Sequence, residues 1–377
     1  MAMHKGFWRG RAVNLLLIVV VLVFCMVGLE FACRVLPISD SMGWNRTLPL
    51  PERAKRFESS SPVKIVAVGD SFAEWRAGEG VNMFDLLQND LSGQGCKILN
   101  LGHAGTDVID YVNGYRHYVA FKPDAIIMSL YLGNDVLNYT ETSRVKGVDQ
   151  RSLEDQQSGL KQIIKRHSTV INFLFRLGKQ HFAFMQAGSF DKNVKALQKE
   201  AGLSDAQVQG RMTKLDPKII ELARSDSVNG WIPALGIVHP EYFKDLFTES
   251  SQQCRTAAES TIKLIEEFYH AQKVNNFLVV LMPVSLQVSE KYDDFFKRCG
   301  YDLDNFSIQE CRGLIQYLQR RLGELGIMTL DPTAELEKAY PAYIPLDDHL
   351  NAQGHKAVAN AMSNFIRKQF AWKPSAN

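Results

Sequence analysis

Short runs of apolar residues recur along the chain, between longer stretches that follow a helical period. The runs cover residues 63–68, 97–101, 125–132, 277–282 and 328–330. An uninterrupted apolar run of this length is typical of a strand that is buried on both faces of a parallel sheet. The pattern therefore predicts five strands.

Stretches with helical periodicity separate these runs. They cover residues 83–91, 108–119, 254–272 and 307–325, and a last helix begins near Ala352. Strands that alternate with helices form βαβ units, in which the strands are parallel. We therefore expect an α/β fold, with a doubly wound, parallel, five-stranded sheet between two layers of helices.

Residues 140–250 interrupt this alternation. The segment is rich in Gln, Lys and Ser, and it has amphipathic helix patterns rather than apolar runs. We predict that it is a mostly helical insertion, or a cap over the sheet. The domain that contains it is expected to extend over residues 63–370.

A separate apolar run lies near the N-terminus, at residues 12–29, and only cations among the charged residues precede it. As a helix it is about 27 Å long, just enough to cross the core of a bilayer. The cationic flank is expected to stay in the cytoplasm. We therefore predict a cytoplasmic tail at 1–11, one transmembrane anchor at 12–32, a linker at 33–62 and a domain outside the cytoplasm.

A cleaved signal peptide is the alternative interpretation of this run. Its apolar region is normally shorter, and it ends at a cleavage site with small residues. Residues 28–33 offer only a poor site of that kind. The pattern favours the uncleaved anchor and a single-pass protein of the cell membrane.

Composition narrows the classes of function. The 377 residues are 46% hydrophobic and 22% charged, which is ordinary for a globular protein and excludes a wholly disordered chain. The formal net charge is only +2, so no strong positive field attracts nucleic acid. We expect no nucleic-acid partner.

The six cysteines are too few for a fold built on disulfides. They form no CxxC pair and no His/Cys spacing of a zinc site, so no metal site is predicted. Two alternatives remain for the cysteines after residue 62. Cys299 and Cys311 form a local disulfide in an oxidising compartment, or all four are buried free thiols.

Polar clusters follow three of the predicted strands, where each strand ends. These clusters are at residues 69–71, 100–105 and 133–135, and a fourth, at 347–351, precedes the last helix. In open α/β sheets, sites form in the crevice beyond the carboxyl ends of the strands. We therefore expect the four clusters to form one site.

The residue types in these clusters fit acyl transfer. That chemistry needs a nucleophile, a base that takes its proton, a group that orients the base, and donors for the oxyanion. Ser71 is the candidate nucleophile, His349 the base and Asp347 the orienting acid. The candidate oxyanion donors are the backbone N–H groups of Ser71 and Gly105 and the side-chain amide of Asn134.

With these segments, the chain resembles the SGNH (GDSL-like) hydrolases, which are named for a Ser, a Gly, an Asn and a His. The matches occur in family order: Gly69-Asp70-Ser71-Phe72, Asn100 with Gly105, Gly133-Asn134-Asp135, and Asp347-x-His349-Leu350-Asn351. The resemblance implies a flavodoxin-like sheet and a serine esterase or acyl-transfer mechanism without a metal or cofactor.

Two positions depart from the family pattern. Trp75 stands where the family often has a glycine, which implies a narrowed or aromatic-lined acyl pocket. Leu346 stands where the family often has its acid, three residues before the histidine. Asp347 is therefore the expected acid, as in the exopolysaccharide-acetylating branch of the superfamily, and Asp348 is the alternative.

Other polar and aromatic residues are weaker candidates. Trp75 and His103 are candidate substrate contacts, and an ordinary loop role is the alternative for His103. His355 lies inside the predicted last helix, so a structural role is expected for it, because a catalytic base must reach the serine.

Three functions remain open at this stage. The first is a membrane-anchored serine esterase that acts on an acylated glycan, or on a small ester. The second is an O-acyltransferase that uses the same site and receives its acyl group from a partner membrane acyltransferase. The third is a catalytically silent envelope assembly or glycan-binding protein, against which the complete Ser/Gly/Asn/Asp/His set argues.

Overall fold

The computed structural model describes residues 63–74, 80–113, 121–136, 189–225, 227–272 and 274–370, together with Phe57 and isolated helical positions between Leu17 and Phe31. Residues 56–152 and 184–377 form one compact unit, and residues 1–55 and 153–183 form another. Within the described part of the chain, no helix is long and apolar enough to cross a membrane. Most of the predicted anchor and linker lies outside the described residues.

The larger unit is built on one five-stranded sheet. Its strands are β1 (Val63–Val68), β2 (Cys96–Asn100), β3 (Ala125–Tyr131), β4 (Asn276–Met282) and β5 (Met328–Leu330). They are all parallel, in the order β2-β1-β3-β4-β5. This is the flavodoxin-like order, and it confirms the predicted five-stranded parallel sheet.

The helices follow the strands in chain order. Before the insertion they are α1 (Ser71–Glu74), α2 (Met83–Leu91) and α3 (Val108–Asn113). Within it they are α4 (Ser189–Ala201), α5 (Asp205–Met212), α6 (Pro217–Arg224), α7 (Trp231–Val238) and α8 (Tyr242–Phe247). After it they are α9 (Gln252–Gln272), α10 (Ser285–Val288), α11 (Asp293–Arg298), α12 (Ile308–Cys311), α13 (Gly313–Glu324), α14 (Thr333–Lys338) and α15 (Ala352–Gln369).

Helices cover both faces of the sheet because both faces are apolar. Every residue of β4 is buried. On one face, Leu278 of β4 belongs to a core that α2 and α15 complete, through residues such as Leu87 and Met362. On the other face, Phe277 packs against Phe268 of α9, with ring centroids 5.5 Å apart. This is the doubly wound, three-layer arrangement.

The described part of the insertion is helical, as predicted, and residues 140–188 lie outside the described part. Its helices α7 and α8 pack against the segment that follows β4. The ring of Phe243 lies 5.1 Å from that of Phe296 and 4.8 Å from that of Tyr301. The Tyr301 hydroxyl also donates a hydrogen bond to the Ile232 carbonyl, at 2.9 Å.

The helix predicted at 307–325 is two helices in the structure. The pattern at 307–325 predicts one helix, but α12 ends at Cys311 and α13 begins at Gly313. A Cβ atom at Gly313 would lie only 2.8 Å from the backbone nitrogen of Glu249. The break therefore coincides with a close approach of the chain segment between α8 and α9, which local periodicity does not reveal.

The two alternatives for the cysteines are also decided. Cys96, Cys254, Cys299 and Cys311 are free and buried, so the disulfide between Cys299 and Cys311 is not formed. Burial raises the pKa of the Cys299 thiol to about 12. Closeness in sequence therefore does not bring these two thiols together, and all four thiols are buried.

Candidate active site

Ser71 lies directly beyond the carboxyl end of β1, at the start of α1. Asp70 begins this helix, because its carboxylate accepts a hydrogen bond from the backbone N–H of Phe72 at 3.0 Å, as an N-cap does. Side chains at Gly69 and Gly102 would overlap Ala73 on the inner side of the helix. The two glycines therefore let α1 pack closely against the ends of the strands.

His349 joins Ser71 to Asp347 in a continuous chain of hydrogen bonds. Its Nε2 lies 2.9 Å from the Ser71 Oγ, and its Nδ1 lies 2.8 Å from the Asp347 Oδ1. A carboxylate accepts but does not donate, so the Nδ1 carries the proton in this pair. The Nε2 of the neutral ring is then the acceptor that faces the serine hydroxyl.

A compact turn holds this part of the chain ahead of α15. The Ile344 N–H donates to the His349 carbonyl at 2.8 Å, and the Asp347 N–H donates to the Ile344 carbonyl at 3.1 Å. Leu346 has a φ of +59°, a conformation that L-residues rarely adopt. Asn351 caps α15 by accepting from the Gly354 N–H at 3.0 Å. The turn is thus fixed at both of its ends.

The electrostatic environment of His349 favours its protonated form. Burial lowers the pKa of the imidazole, but the hydrogen bond and charge of Asp347, with the charges of Asp70 and Asp348, outweigh burial. The pKa is therefore raised above its ordinary value of 6.5. The ring also stacks on Phe72, with centroids 5.1 Å apart.

Asn134 and Gly105, two of the three candidate oxyanion donors, are exposed residues in the loops beyond β3 and β2. The Asn134 amide donates to the Asp70 carboxylate at 3.3 Å, so it is held beside the residue that precedes Ser71. Gly105 has a φ of +76°, and an added Cβ would meet no other atom of the described residues within 4 Å, apart from its chain neighbours. Space for a ligand therefore exists on that side of its backbone.

The loop that carries Gly105 is fastened to α1 by Glu74. The Glu74 carboxylate accepts from the Ala104 N–H at 2.7 Å, and it lies 3.4 Å from the His103 Nδ1. The His103 side chain is 55% exposed. His103 therefore contacts Glu74 of α1. The other candidate substrate contact, Trp75, lies outside the described residues.

Buried acidic residues lie in the turns around this site, among them Asp70 and Asp135 of the predicted clusters. Asp135 accepts hydrogen bonds from the Tyr111 hydroxyl at 3.0 Å and from the Tyr131 N–H at 2.7 Å. Burial raises its pKa, and the nearby Asp70 charge adds to this. Burial also raises the pKa of Asp70 itself. Both carboxyls hold the turns that follow β1 and β3.

Asp348 points away from His349 and does not occupy the position of the acid. Its side chain is buried, and it accepts hydrogen bonds from the Ser285 N–H at 2.8 Å and from the Tyr131 hydroxyl. Burial raises the pKa of Asp348 to about 6. Of the two adjacent carboxylates, only Asp347 contacts the histidine ring within hydrogen-bond distance.

In the described part of the insertion, Tyr242 reaches the same loops. The Tyr242 hydroxyl, at the start of α8, donates to the Gly133 carbonyl at 3.0 Å. Gly133 is the residue before Asn134. The two partners are far apart in sequence, and no local pattern signals the contact.

No family model and no curated protein sequence matches the chain. Among solved structures, a lipase/acylhydrolase from Enterococcus faecalis aligns with a TM-score of 0.39 and 10% identity, over 83% of this chain and 100% of its own. A catalytic mutant of an acetylxylan esterase from Geobacillus stearothermophilus aligns with a TM-score of 0.37 and 15% identity, over 84% and 99%. An α/β hydrolase from the metagenome of Lake Arreo gives 0.34 and 12%, over 84% and 100%. Similarities of this degree do not by themselves assign an activity.

Proposed function

We propose that the chain is a serine-dependent ester hydrolase that acts on O-acyl groups through an acyl-Ser71 intermediate. The observation that carries the proposal is the hydrogen-bonded series of Ser71, His349 and Asp347 beyond the ends of parallel strands. A hydroxyl, an imidazole and a carboxylate in this order form the triad that activates a serine for attack on a carbonyl.

The first half of the reaction forms the acyl-enzyme. The Nε2 of His349 takes the proton of Ser71 as the Oγ attacks the ester carbonyl carbon. The carbonyl π electrons move to the oxygen, which becomes the oxyanion of a tetrahedral intermediate. When this intermediate collapses, the bond to the alcohol oxygen breaks, and the protonated His349 returns the proton to that oxygen.

The second half releases the acid. Water attacks the acyl-Ser71 carbonyl while His349 takes one of its protons, and the Ser71 Oγ then leaves and recovers that proton. The carboxylate of Asp347 stabilises the imidazolium in both halves. This role agrees with the direction of the pKa of His349, which Asp347 raises through its hydrogen bond and its charge.

The oxyanion is assigned to three donors in this proposal. They are the backbone N–H groups of Ser71 and Gly105 and the amide of Asn134. Two anchors support this assignment, because Asp70 accepts from the Asn134 amide and Glu74 accepts from the N–H next to Gly105. Donors that are fixed before the reaction stabilise the developing charge without the cost of reorganising.

The proposed substrate is an acylated polysaccharide of the envelope or the extracellular space. Two features of the sequence support this: the predicted N-terminal anchor with its cytoplasmic flank, and the Asp-x-His spacing of the exopolysaccharide-acetylating branch. The exposure of Asn134 and Gly105 also suits a bulky acyl donor, since both candidate donors lie at the surface of the unit.

A fluorophosphonate probe tests the nucleophile, because it reacts only with an activated hydroxyl. The full chain is expected to become labelled, and Ser71→Ala is expected to abolish labelling. Ser227→Ala, which changes an exposed serine of the insertion, is the matched control and retains it. Labelling that survives Ser71→Ala contradicts the proposed nucleophile, and a wild type that never reacts favours the silent binding protein.

Hydrolysis and transfer differ in what attacks the acyl-enzyme. We expect a nitrophenyl ester to be hydrolysed at the same rate with or without acetyl-free oligosaccharide, with no acylated sugar detected by mass spectrometry. Acylated sugar that accumulates while the release of free acid falls would instead establish the acyltransferase.

A further inference from the structure

We propose that Asp348 is a positioning residue, whose buried carboxylate ties the Asp347–His349 turn to the ends of β3 and β4 so that the imidazole stays aligned with Ser71. The proposal rests on the proposed function, because Asp348 acts through His349 and touches no substrate. Asp348 would thus contribute to the reaction although its carboxylate, unlike that of Asp347, does not contact the His349 ring.

Each oxygen of the Asp348 carboxylate has a donor from a different part of the sheet. The Oδ1 accepts from the Ser285 N–H at 2.8 Å, just beyond β4, and the Oδ2 accepts from the hydroxyl of Tyr131, the last residue of β3. The residue is only 6% exposed. One side chain therefore joins the histidine turn to two strand ends in a place that water does not reach.

Tyr131 supports the histidine by a second route. Its ring stacks on Phe72 with centroids 4.1 Å apart, and Phe72 in turn stacks on His349 at 5.1 Å. The arrangement requires a glycine at 133, because a Cβ there would overlap the Tyr131 ring. Tyr131 thus holds Asp348 with its hydroxyl and supports the imidazole, through Phe72, with its ring.

Burying the Asp348 carboxylate costs free energy, which favours a specific role for this residue over simple packing. Burial disfavours the charged form and raises the pKa of Asp348 to about 6, against the hydrogen bonds of Ser285 and Tyr131. An unpaired buried charge is costly, whereas a carboxylate with two donors is tolerated. At neutral pH the group is therefore mostly ionised, and its charge acts on His349.

Two substitutions separate the tether from the charge. Asp348→Ala removes both hydrogen bonds. Asp348→Asn keeps an acceptor for the Ser285 N–H and places an amide against the Tyr131 hydroxyl, whose oxygen is able to accept. The alanine variant therefore tests alignment, and the asparagine variant tests the charge.

The charge test depends on every group that faces the histidine. Asp347 on its own turn, Asp70 after β1 and Asp348 raise the pKa of His349, and His355 on α15 also interacts with its charge. Removing one of the three negative charges is expected to lower the pKa of His349. Facing Asp348 are Asp347, Ser285 and Tyr131, and its charge is also felt by Tyr292, Tyr301, Cys311 and Tyr343.

The experiment measures the rate constant for fluorophosphonate labelling of the full chain as a function of pH, per folded molecule. We expect Asp348→Ala to lower this constant roughly 10- to 100-fold, as misplacement of a catalytic group does. We expect Asp348→Asn to lower it less and to move its acid limb to lower pH. Asp304→Asn, which removes an exposed carboxylate, is the control and changes neither quantity.

If Asp348→Ala does not fold, Tyr131→Phe replaces it as the test of alignment. It removes the hydroxyl from Asp348 and keeps the ring on Phe72, and we expect a labelling rate several-fold below that of the wild type. The proposal is overturned if the folded Asp348 and Tyr131 variants label at the wild-type rate and Asp348→Asn leaves the acid limb in place. A wild type that does not label at all contradicts the proposed function instead.

Discussion

Two histidines lie on either side of the start of α15, and their surroundings give them opposite properties. His349, in the turn before the helix, has a carboxylate at its Nδ1 and a hydroxyl at its Nε2. His355, in the first turns of the helix, is buried, and its Nδ1 accepts from the backbone N–H of Met83 at 3.2 Å. The Nδ1 of His349 thus faces a hydrogen-bond acceptor, and the Nδ1 of His355 faces a donor.

This difference determines which of the two is able to act as a base. The Asp347 hydrogen bond and charge outweigh burial and raise the pKa of His349. For His355, burial and the charge of His349 act together and lower the pKa to about 4. Protonation of His355 would also cost it the bond to Met83. Burial lowers the pKa of both rings, and only His349 has an adjacent carboxylate, Asp347, that helps to outweigh it.

The strongest test of this comparison exchanges each histidine for glutamine. We expect His349→Gln to lower the rate of fluorophosphonate labelling by ~10³-fold or more, because the serine loses its base. We expect His355→Gln to stay within a few-fold of the wild type. The comparison is reversed if His355→Gln is the inactive variant and His349→Gln labels normally.

Asn134→Ala tests a contribution that is independent of the two histidines, because an amide donor stabilises the oxyanion without itself titrating. We expect turnover of a nitrophenyl ester to fall by ~10²-fold, the usual loss for one such donor. The pH at which activity falls on the acid side should stay unchanged, since His349 is untouched. An unchanged turnover in a folded Asn134→Ala variant removes Asn134 from the proposed oxyanion hole.

The two histidines should also affect stability in opposite directions as the pH changes. The pKa of His355 is lowered in the folded state, so the unfolded chain binds the proton first, and stability is lost as the pH falls from 6.5 to about 4. The loss amounts to roughly 3 kcal/mol. His349 has a raised pKa, so its contribution is present below 6.5 and is lost as the pH rises through the folded value.

Urea unfolding at several pH values measures this contribution of His355. The difference in unfolding free energy between the wild type and His355→Gln should shrink as the pH falls through this range. Other groups, Asp348 among them, titrate in both proteins and cancel in the difference. A difference that is the same at pH 4 and pH 7 contradicts the assignment of a neutral, buried His355.

The smallest expected effect is the position of the acid limb of kcat/KM. Only neutral His349 accepts the Ser71 proton, and its pKa is raised, so activity should fall as the pH drops through a value above 6.5. Initial rates with a nitrophenyl ester between pH 5 and 9 locate the limb. A limb below the ordinary histidine pKa would show that burial outweighs Asp347.

Features that depend on local sequence patterns are predictable from the sequence, whereas features that depend on contacts between distant residues are not. The strands are predictable because each is an uninterrupted apolar run. The run at 125–132 extends one residue beyond β3, and the run at 277–282 covers all of β4 except its first residue. The placing of Ser71 and Asn134 at strand ends follows from the parallel topology. These features are local patterns, or direct consequences of chain order.

Contacts between distant parts of the chain leave no such pattern. The sequence leaves Asp347 and Asp348 as alternatives, and only the Ser285 and Tyr131 donors show why the second carboxylate is turned away. The break between α12 and α13 likewise coincides with a long-range contact, the approach of Glu249 to Gly313. The predicted roles of Ser71, His349 and Asp347 in catalysis stay predictions until the variants are measured.

The bond from Tyr242 to Gly133 has a consequence for anyone who shortens or exchanges the insertion. The insertion is not a detachable module, since its last helix supplies an anchor for the loop that presents Asn134. A chimaera joined upstream of α8 keeps that anchor, whereas one joined downstream of Phe247 discards it. A junction that is meant to preserve the Asn134 loop should therefore lie upstream of Tyr242.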